Sequence, residues 1–355
     1  MSTNKKGSLP EMEFSGHILI NEYGDLTMGF ERILRESFSS SAEQYEADVC
    51  AYTKALKLLG PGYIIHFQDR YHPAKFDACP GEGEPGTPLK LASDRHFHER
   101  PYLEHRSYLF ITRTSGSSRP VGRPGFFRRN LAPREVLDEA RINKFADNCL
   151  GFALTVEQNT TIRLHPLKPS EYTGTADETG LCEQYALLQP PDAPPRTTDI
   201  SLGDGYYAGN KQTVVATISD AEQLPSECSA YHAYERYSTE KTVFPVGWGA
   251  WFGSLIDAEH ISNLYFILAE PATTLRRLET RRRRLHSLAG VDRENAVAER
   301  AIAAYQEEAA RGERQMVRVH LNVITWTEDK SELSALQNRL VVAIGKTGIT
   351  PHLET

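Results

Sequence analysis

Cysteine is scarce and never clustered. The five present, Cys50, Cys79, Cys149, Cys182 and Cys228, are odd in number and form no C-x-x-C pair. That pattern excludes a disulfide scaffold or a zinc ribbon and fits a reduced cytosol. Long apolar runs are missing too. No window approaches the roughly 18 apolar residues that a membrane span needs, and the opening MSTNKKGSLPEMEF has no apolar signal segment. Any membrane contact is expected to be peripheral or through a partner. A surplus of basic charge is also absent. Forty Lys and Arg against 47 Asp and Glu leave a net charge of -7, so contact with nucleic acid must come from local patches, not from the whole surface.

A complete phosphate-binding loop is lacking as well. Gly345-Lys346-Thr347 imitates its end, but Leu340 stands where the first glycine belongs and the preceding residues have helical spacing. The triplet reads as a helix C-cap with Lys346 near the negative dipole end. The patterns Gly203-x-Gly205-x-x-x-Gly209 and Gly247-x-Gly249-x-x-x-Gly253 resemble a dinucleotide fingerprint. Neither sits between a strand and a helix of a parallel unit, so each reads as a turn or loop. No nucleophile elbow or catalytic triad signature appears.

What is present is an alternation of short strands and amphipathic helices in 355 residues, enough for two cores. A hairpin is predicted over 16–31 around Tyr23-Gly24-Asp25. A helix follows, capped by Ser40 with Glu43 in a capping box and striped by Tyr45, Val49, Tyr52, Leu56 and Leu59. A strand at 63–68 precedes a Gly/Pro loop at 79–88. Ser93 is read as the N-cap of a short helix that Pro101 ends, and Tyr108 to Arg113 form a central strand with apolar side chains on both faces. A helix is expected from Pro133 toward Val156, a strand at 160–164 and a helical turn at 169–172. The stiff run Gln189-Pro190-Pro191-Asp192-Ala193-Pro194-Pro195 reads as a linker.

Beyond it, strands are expected at 199–202, 213–219, 263–269 and 317–323. A Leu275/Leu278/Leu285/Leu288 helix should pair with the acidic, Ala-rich helix 294–310, and a last helix carries Leu333, Leu336, Leu340 and Ile344. The fold class is therefore α+β: mainly antiparallel sheets with helices packed on one face, two subdomains and no RecA-like motor domain. The expected division is a loose N-terminus (1–15), a first subdomain (16–188), the linker (189–198) and a second subdomain with a helical hairpin (199–355).

Three stretches carry candidate contacts. Val243 to Ile256 is uncharged and holds Phe244, Trp248, Trp251 and Phe252, which form either core or a patch that a partner covers. Arg281, Arg282, Arg283 and Arg284, with a basic loop at Arg119, Arg123, Arg128 and Arg129, are electrostatic candidates for phosphate, or a solvated face opposed by the acidic helix. His96, His98 and His105 with Glu99 and Glu104 offer metal-ligand types. On a helix, however, His96 and His98 point about 200° apart. Arg100 and Glu104, four apart, are expected to share hydrogen bonds.

Glu99-Arg100-Pro101-Tyr102-Leu103-Glu104-His105 ahead of a Tyr-x-Phe-x-Thr strand resembles the ERPYLDH-like run of TraG-family conjugation proteins, the type IV secretion ATPases of conjugative transposons. Glu104 replaces the Asp. Ser238-Thr239-Glu240-Lys241-Thr242-Val243-Phe244-Pro245-Val246-Gly247 resembles that family's STEKT-x-x-PVG run, and His260 with Asn263 its H-x-x-N run. Gly312-Glu313 before the last long strand, and the closing helix ending at Gly345 to Gly348, resemble the end of the family's amino-terminal region.

The resemblance implies an anchoring half that joins a motor to inner-membrane channel subunits and to neighbouring copies, from the cytoplasmic face and peripheral to the membrane. A homo-oligomer is implied for the full-length protein. ATP and Mg are expected only in a downstream catalytic domain, so no cofactor, metal or hydrolysis is expected of this fragment. A nucleic-acid-binding module using the arginine clusters is the alternative.

Overall fold

The computed structural model describes residues 12–36, 40–76, 87–116, 138–191, 193–194, 198–202, 205–225, 228–235, 238–288, 293–311 and 317–354. Pro133, Cys79, most of the 79–88 loop, the four loop arginines 119, 123, 128 and 129, and Gly312-Glu313 lie outside the described residues.

The class is α+β, built on one antiparallel sheet. The first half supplies β1 (Met12–Ser15), β2 (Ile18–Asn21), β3 (Leu26–Ile33), β4 (Tyr63–Ala74), β5 (Tyr102–Arg113) and β6 (Arg163–Pro166). The second half supplies β7 (Ile200–Leu202), β8 (Tyr206–Ala208), β9 (Lys211–Ile218), β12 (His260–Leu268), β13 (Val317–Thr327) and β14 (His352–Glu354). The short strands β10 (Tyr231–Ala233) and β11 (Pro245–Gly247) form a separate ribbon. Spatial order in the large sheet is β1-β2-β3-β5-β4-β12-β13-β9-β8-β7, with β6 beside β3 and β14 beside β9. The junction β4–β12 joins the two halves of the chain through continuous pairing from His260 opposite Tyr71 to Ile267 opposite Ile64.

The pleat explains the core. Side chains alternate between faces, so residues directly opposite in successive strands share a face. Phe30, Leu109, Phe67, Leu264, Leu321 and Ile218 make one apolar row across six strands. Four helices cover this face. Helices α1 (Ala42–Leu58) and α3 (Glu139–Asn159) seal the first half through Ala55, Leu59, Phe145, Cys149 and Phe152. Helices α6 (Trp251–Ser254) and α9 (Leu333–Gly345) seal the second through Phe252, Leu336, Leu340 and Ile344. Each half thus keeps its own apolar cluster on one shared sheet. On the other face, the short helices α4 (Pro169–Thr173) and α5 (Leu181–Leu187) bring Tyr172 and Leu181 onto Tyr108.

Local expectations shift at several ends. Helix α1 is capped by Ser41 with Gln44 in the capping box, because the Ser40 hydroxyl accepts from Arg35 instead. Its buried side is centred on Ala51 and Ala55, whose small side chains admit α3, while Val49 is turned to solvent. Helix α2 (Pro88–His98) starts at Thr87, which caps Lys90, with Pro88 at its first position, so Ser93 is interior and not a cap. The strand after it begins at Tyr102, earlier than expected, which places His105 inside the sheet. Arg100 turns back to His96, whereas Glu104, beyond Pro101 on the strand, pairs with Arg106. The anticipated Arg100–Glu104 pair therefore does not form. Helices α7 (Pro271–Leu288) and α8 (Arg293–Ala310) form the expected hairpin between β12 and β13, and neither buries a residue.

Candidate docking cleft

On the helix-covered face, the apolar row gives way to polar residues toward the end of β4 where β5 begins. After Tyr63, Ile65 and Phe67, the same face of β4 presents Asp69 and then Tyr71. A cleft of about 990 Å³ opens there, lined by Arg32, Asp69, Tyr71 and His105 on the sheet, Tyr45 and Asp48 on α1, and the glycine-bearing segment before β12.

Asp69 organises the floor. Its Oδ1 accepts from Arg32 Nη2 at 3.1 Å, His105 Nε2 at 2.9 Å and Ser107 Oγ at 2.5 Å. Burial on its own would push this carboxyl up; the Arg32 charge and the His105 and Ser107 hydrogen bonds overcome that and hold it well below the usual carboxylate range. The Arg32 guanidinium also lies 4.8 Å over the Phe67 ring, so its apolar faces and its charge are both used.

Beside this ion pair runs a stack of three rings. His105, Tyr71 and His260 stand directly opposite one another in β5, β4 and β12. His105 and Tyr71 stack at 4.5 Å and 3°, and Tyr71 and His260 at 4.4 Å and 12°. His260 is fully buried, with Nδ1 2.7 Å from the Ala258 carbonyl and Nε2 2.9 Å from that of Phe252. Burial lowers its pKa against the opposing pull of those two carbonyls. The glycine pattern before β12 has a packing role here: a Cβ on Gly253 would overlap the Tyr71 hydroxyl, and one on Gly247 would press on the Tyr45 ring. Gly249 faces open space.

A comparison of the chain with protein-family models and with curated proteins returned no match. Among the described residues, no helix is long and apolar enough to cross a membrane.

Of the residues singled out from the sequence, Pro101, Tyr102 and His105 reach the cleft, Val246 and Gly247 line its far wall, and His260 stands in the ring stack. Glu99 ends α2 and, like Arg100, is exposed. Phe252 belongs to the core, with Trp248 edge-on to it at 5.6 Å, whereas Phe244 is half-buried. The side chain of Trp251 lies outside the described residues. Arg281 to Arg284 are on the distant hairpin. The histidines of the metal-ligand group diverge: His98 meets the Phe76 carbonyl, His96 meets Arg100 and His105 meets Asp69. Lys346 caps the end of α9, as its spacing implied. Sequence reasoning missed Arg32, Asp69, Tyr71 and Ser107. The available signal was the charge that interrupts the apolar face of β4.

Asn263 works on the opposite face. Its Oδ1 accepts from Gln68 Nε2 at 3.1 Å and lies 2.9 Å from His66 Nε2, while its Nδ2 donates to Asn322 at 2.9 Å. His66 stacks on Tyr265 at 4.1 Å, and burial drops its pKa from 6.5 to about 4. The unfolded chain therefore binds this proton more readily between those two values. The resulting stability is fully present above pH 6.5 and declines as pH falls toward 4. Lowering pH from 7.5 to 5 should cost about 2 kcal/mol through this group. Urea unfolding at both pH values checks it: His66→Gln should remove that part of the pH dependence, and an unchanged dependence would refute the assignment.

Proposed function

We propose that this chain is the amino-terminal docking half of a TraG-family conjugation ATPase. In this reading it links a type IV secretion motor, carried downstream, to inner-membrane channel subunits and neighbouring copies. It acts on the cytoplasmic face, peripheral to the membrane. ATP and Mg are bound by the motor, and this half contributes binding surface without chemistry of its own.

The observation that carries the reading is convergence. Residues from separate family-like runs, Pro101, Tyr102 and His105, then Val246 and Gly247, meet at one cleft, and His260 braces its floor. Residues that serve only local packing have no reason to gather from distant parts of a chain around an open, aromatic-lined space. A protein segment suits such a cleft, because tyrosine faces supply contact area at low entropic cost and the Arg35–Asp48 pair in its lining offers polar orientation.

Capture of the cognate inner-membrane subunits by the tagged chain tests this. Gly249→Trp fills the cleft from a position where an added Cβ meets nothing within 4 Å. Capture should fall at least tenfold in that variant and in Tyr102→Ala, with thermal unfolding unchanged. Wild-type protein that retains no such subunit, or variants that retain it equally, would overturn the reading.

A further inference from the structure

Helix α7 concentrates positive charge on a chain whose net charge is -7. Over Pro271–Leu288 it carries six arginines against one glutamate. The acidic partner helix neutralises little of this. Of its arginines, among the described residues only Arg282 reaches across, to Glu299 at 3.1 Å, with His286 Nδ1 3.9 Å from the same carboxylate, while Arg282 and Arg283 share Glu279 on their own helix. Arg276, Arg277, Arg281 and Arg284 are exposed and have no carboxylate partner among the described residues.

Helical geometry determines how they are displayed. At about 100° per residue, Arg276, Arg277, Arg281, Arg283 and Arg284 span an arc of about 160°, centred opposite the Leu275/Leu278/Arg282 side that faces α8. They cover roughly 12 Å of axis. So broad an arc suits a concave surface with phosphate on both walls. A flat anionic bilayer meets only a narrow stripe of a cylinder. The hairpin also lacks the apolar face that interfacial helices bury, since among its described residues the exposed large hydrophobics are only Leu288 and Val297.

We propose that the outer face of α7 is a binding site for duplex nucleic acid. A helix about 10–12 Å across matches a major groove about 12 Å wide, and the arginines then reach the phosphates that flank it. Within the arginine arc the other side chains are Thr273, Thr280, Ser287 and Leu288, with no Asn or Gln to read adenine edges. With the arginines committed to phosphates, which carry no sequence information, binding is independent of base sequence. The site is far from the cleft in sequence and chemistry, and it stands whether or not the secretion reading holds.

Fluorescence anisotropy of a labelled, mixed-sequence 20-base-pair duplex with the intact chain tests it. With about four phosphates neutralised, affinity should weaken about 100-fold between 50 and 200 mM salt. The combined variant Arg276→Gln, Arg277→Gln, Arg281→Gln and Arg284→Gln should lose at least tenfold in affinity at 50 mM and flatten the salt slope, while its circular dichroism and melting temperature match the wild type. No wild-type binding at 50 mM salt, equal binding by the variant, or preferential sedimentation with phosphatidylglycerol vesicles in competition with the duplex would each overturn the proposal.

Discussion

Arg32→Ala should lower unfolding free energy by about 3–5 kcal/mol, the cost of stranding a buried charge. The side chains of Arg32 and Asp69 are 11% and 26% exposed, so water reaches the carboxylate poorly once the guanidinium is gone. His105 and Ser107 remain as partners for Asp69, yet neither carries the permanent charge that opposes its desolvation. Arg32→Ala also leaves the Phe67 face and the Ser107 hydroxyl without their donor. Chemical denaturation at pH 7 measures the loss. A double variant with Asp69→Asn should recover a large part of it, because the stranded charge is removed. If the single variant costs under about 1 kcal/mol, the pair behaves as an exposed one and does not organise the cleft floor.

Leu109→Ala should cost about 3–5 kcal/mol by a different route. Leu109 is fully buried between Phe30 and Phe67 in the row that crosses the sheet. Its neighbours on the sheet are held by strand pairing on both sides, so the space left behind cannot close. Because β4 pairs along its length with both β5 and β12, the loss should lower one common unfolding transition seen by fluorescence and by circular dichroism alike. Two separated transitions, with only the first shifted, would mean that the halves unfold independently despite their common sheet.

The extent to which the sequence disclosed this molecule varies with the range of the interaction concerned. The hairpin around Gly24, the closing helix and the α7–α8 pair were legible, since each rests on turn chemistry or on periodicity within one stretch. The alternation of Val317, Val319, Leu321 and Val323 located a strand, but only Leu321 and Val323 are buried, because the beginning of β13 extends past the helical cover toward the hairpin. The candidate site was half visible. His105 and His260 stood out within distinctive runs, whereas Arg32, Asp69 and Tyr71 looked like ordinary strand residues.

By itself the sequence determined the α+β class, the antiparallel strands with their apolar and polar faces, the approximate place of the long helices though not every cap, and the lack of an apolar run long enough to cross a bilayer as a helix. Those properties follow from side-chain periodicity and capping, which act over one or two turns or a few pleats. Only the tertiary structure decided that β4 lies between β5 and β12, that the two halves extend one sheet, and that Tyr71 is clasped by two histidines beside an Asp69–Arg32 pair. Periodicity states which face a residue occupies and leaves open which strand lies alongside; that choice is made by burial and hydrogen bonding between segments far apart in the chain.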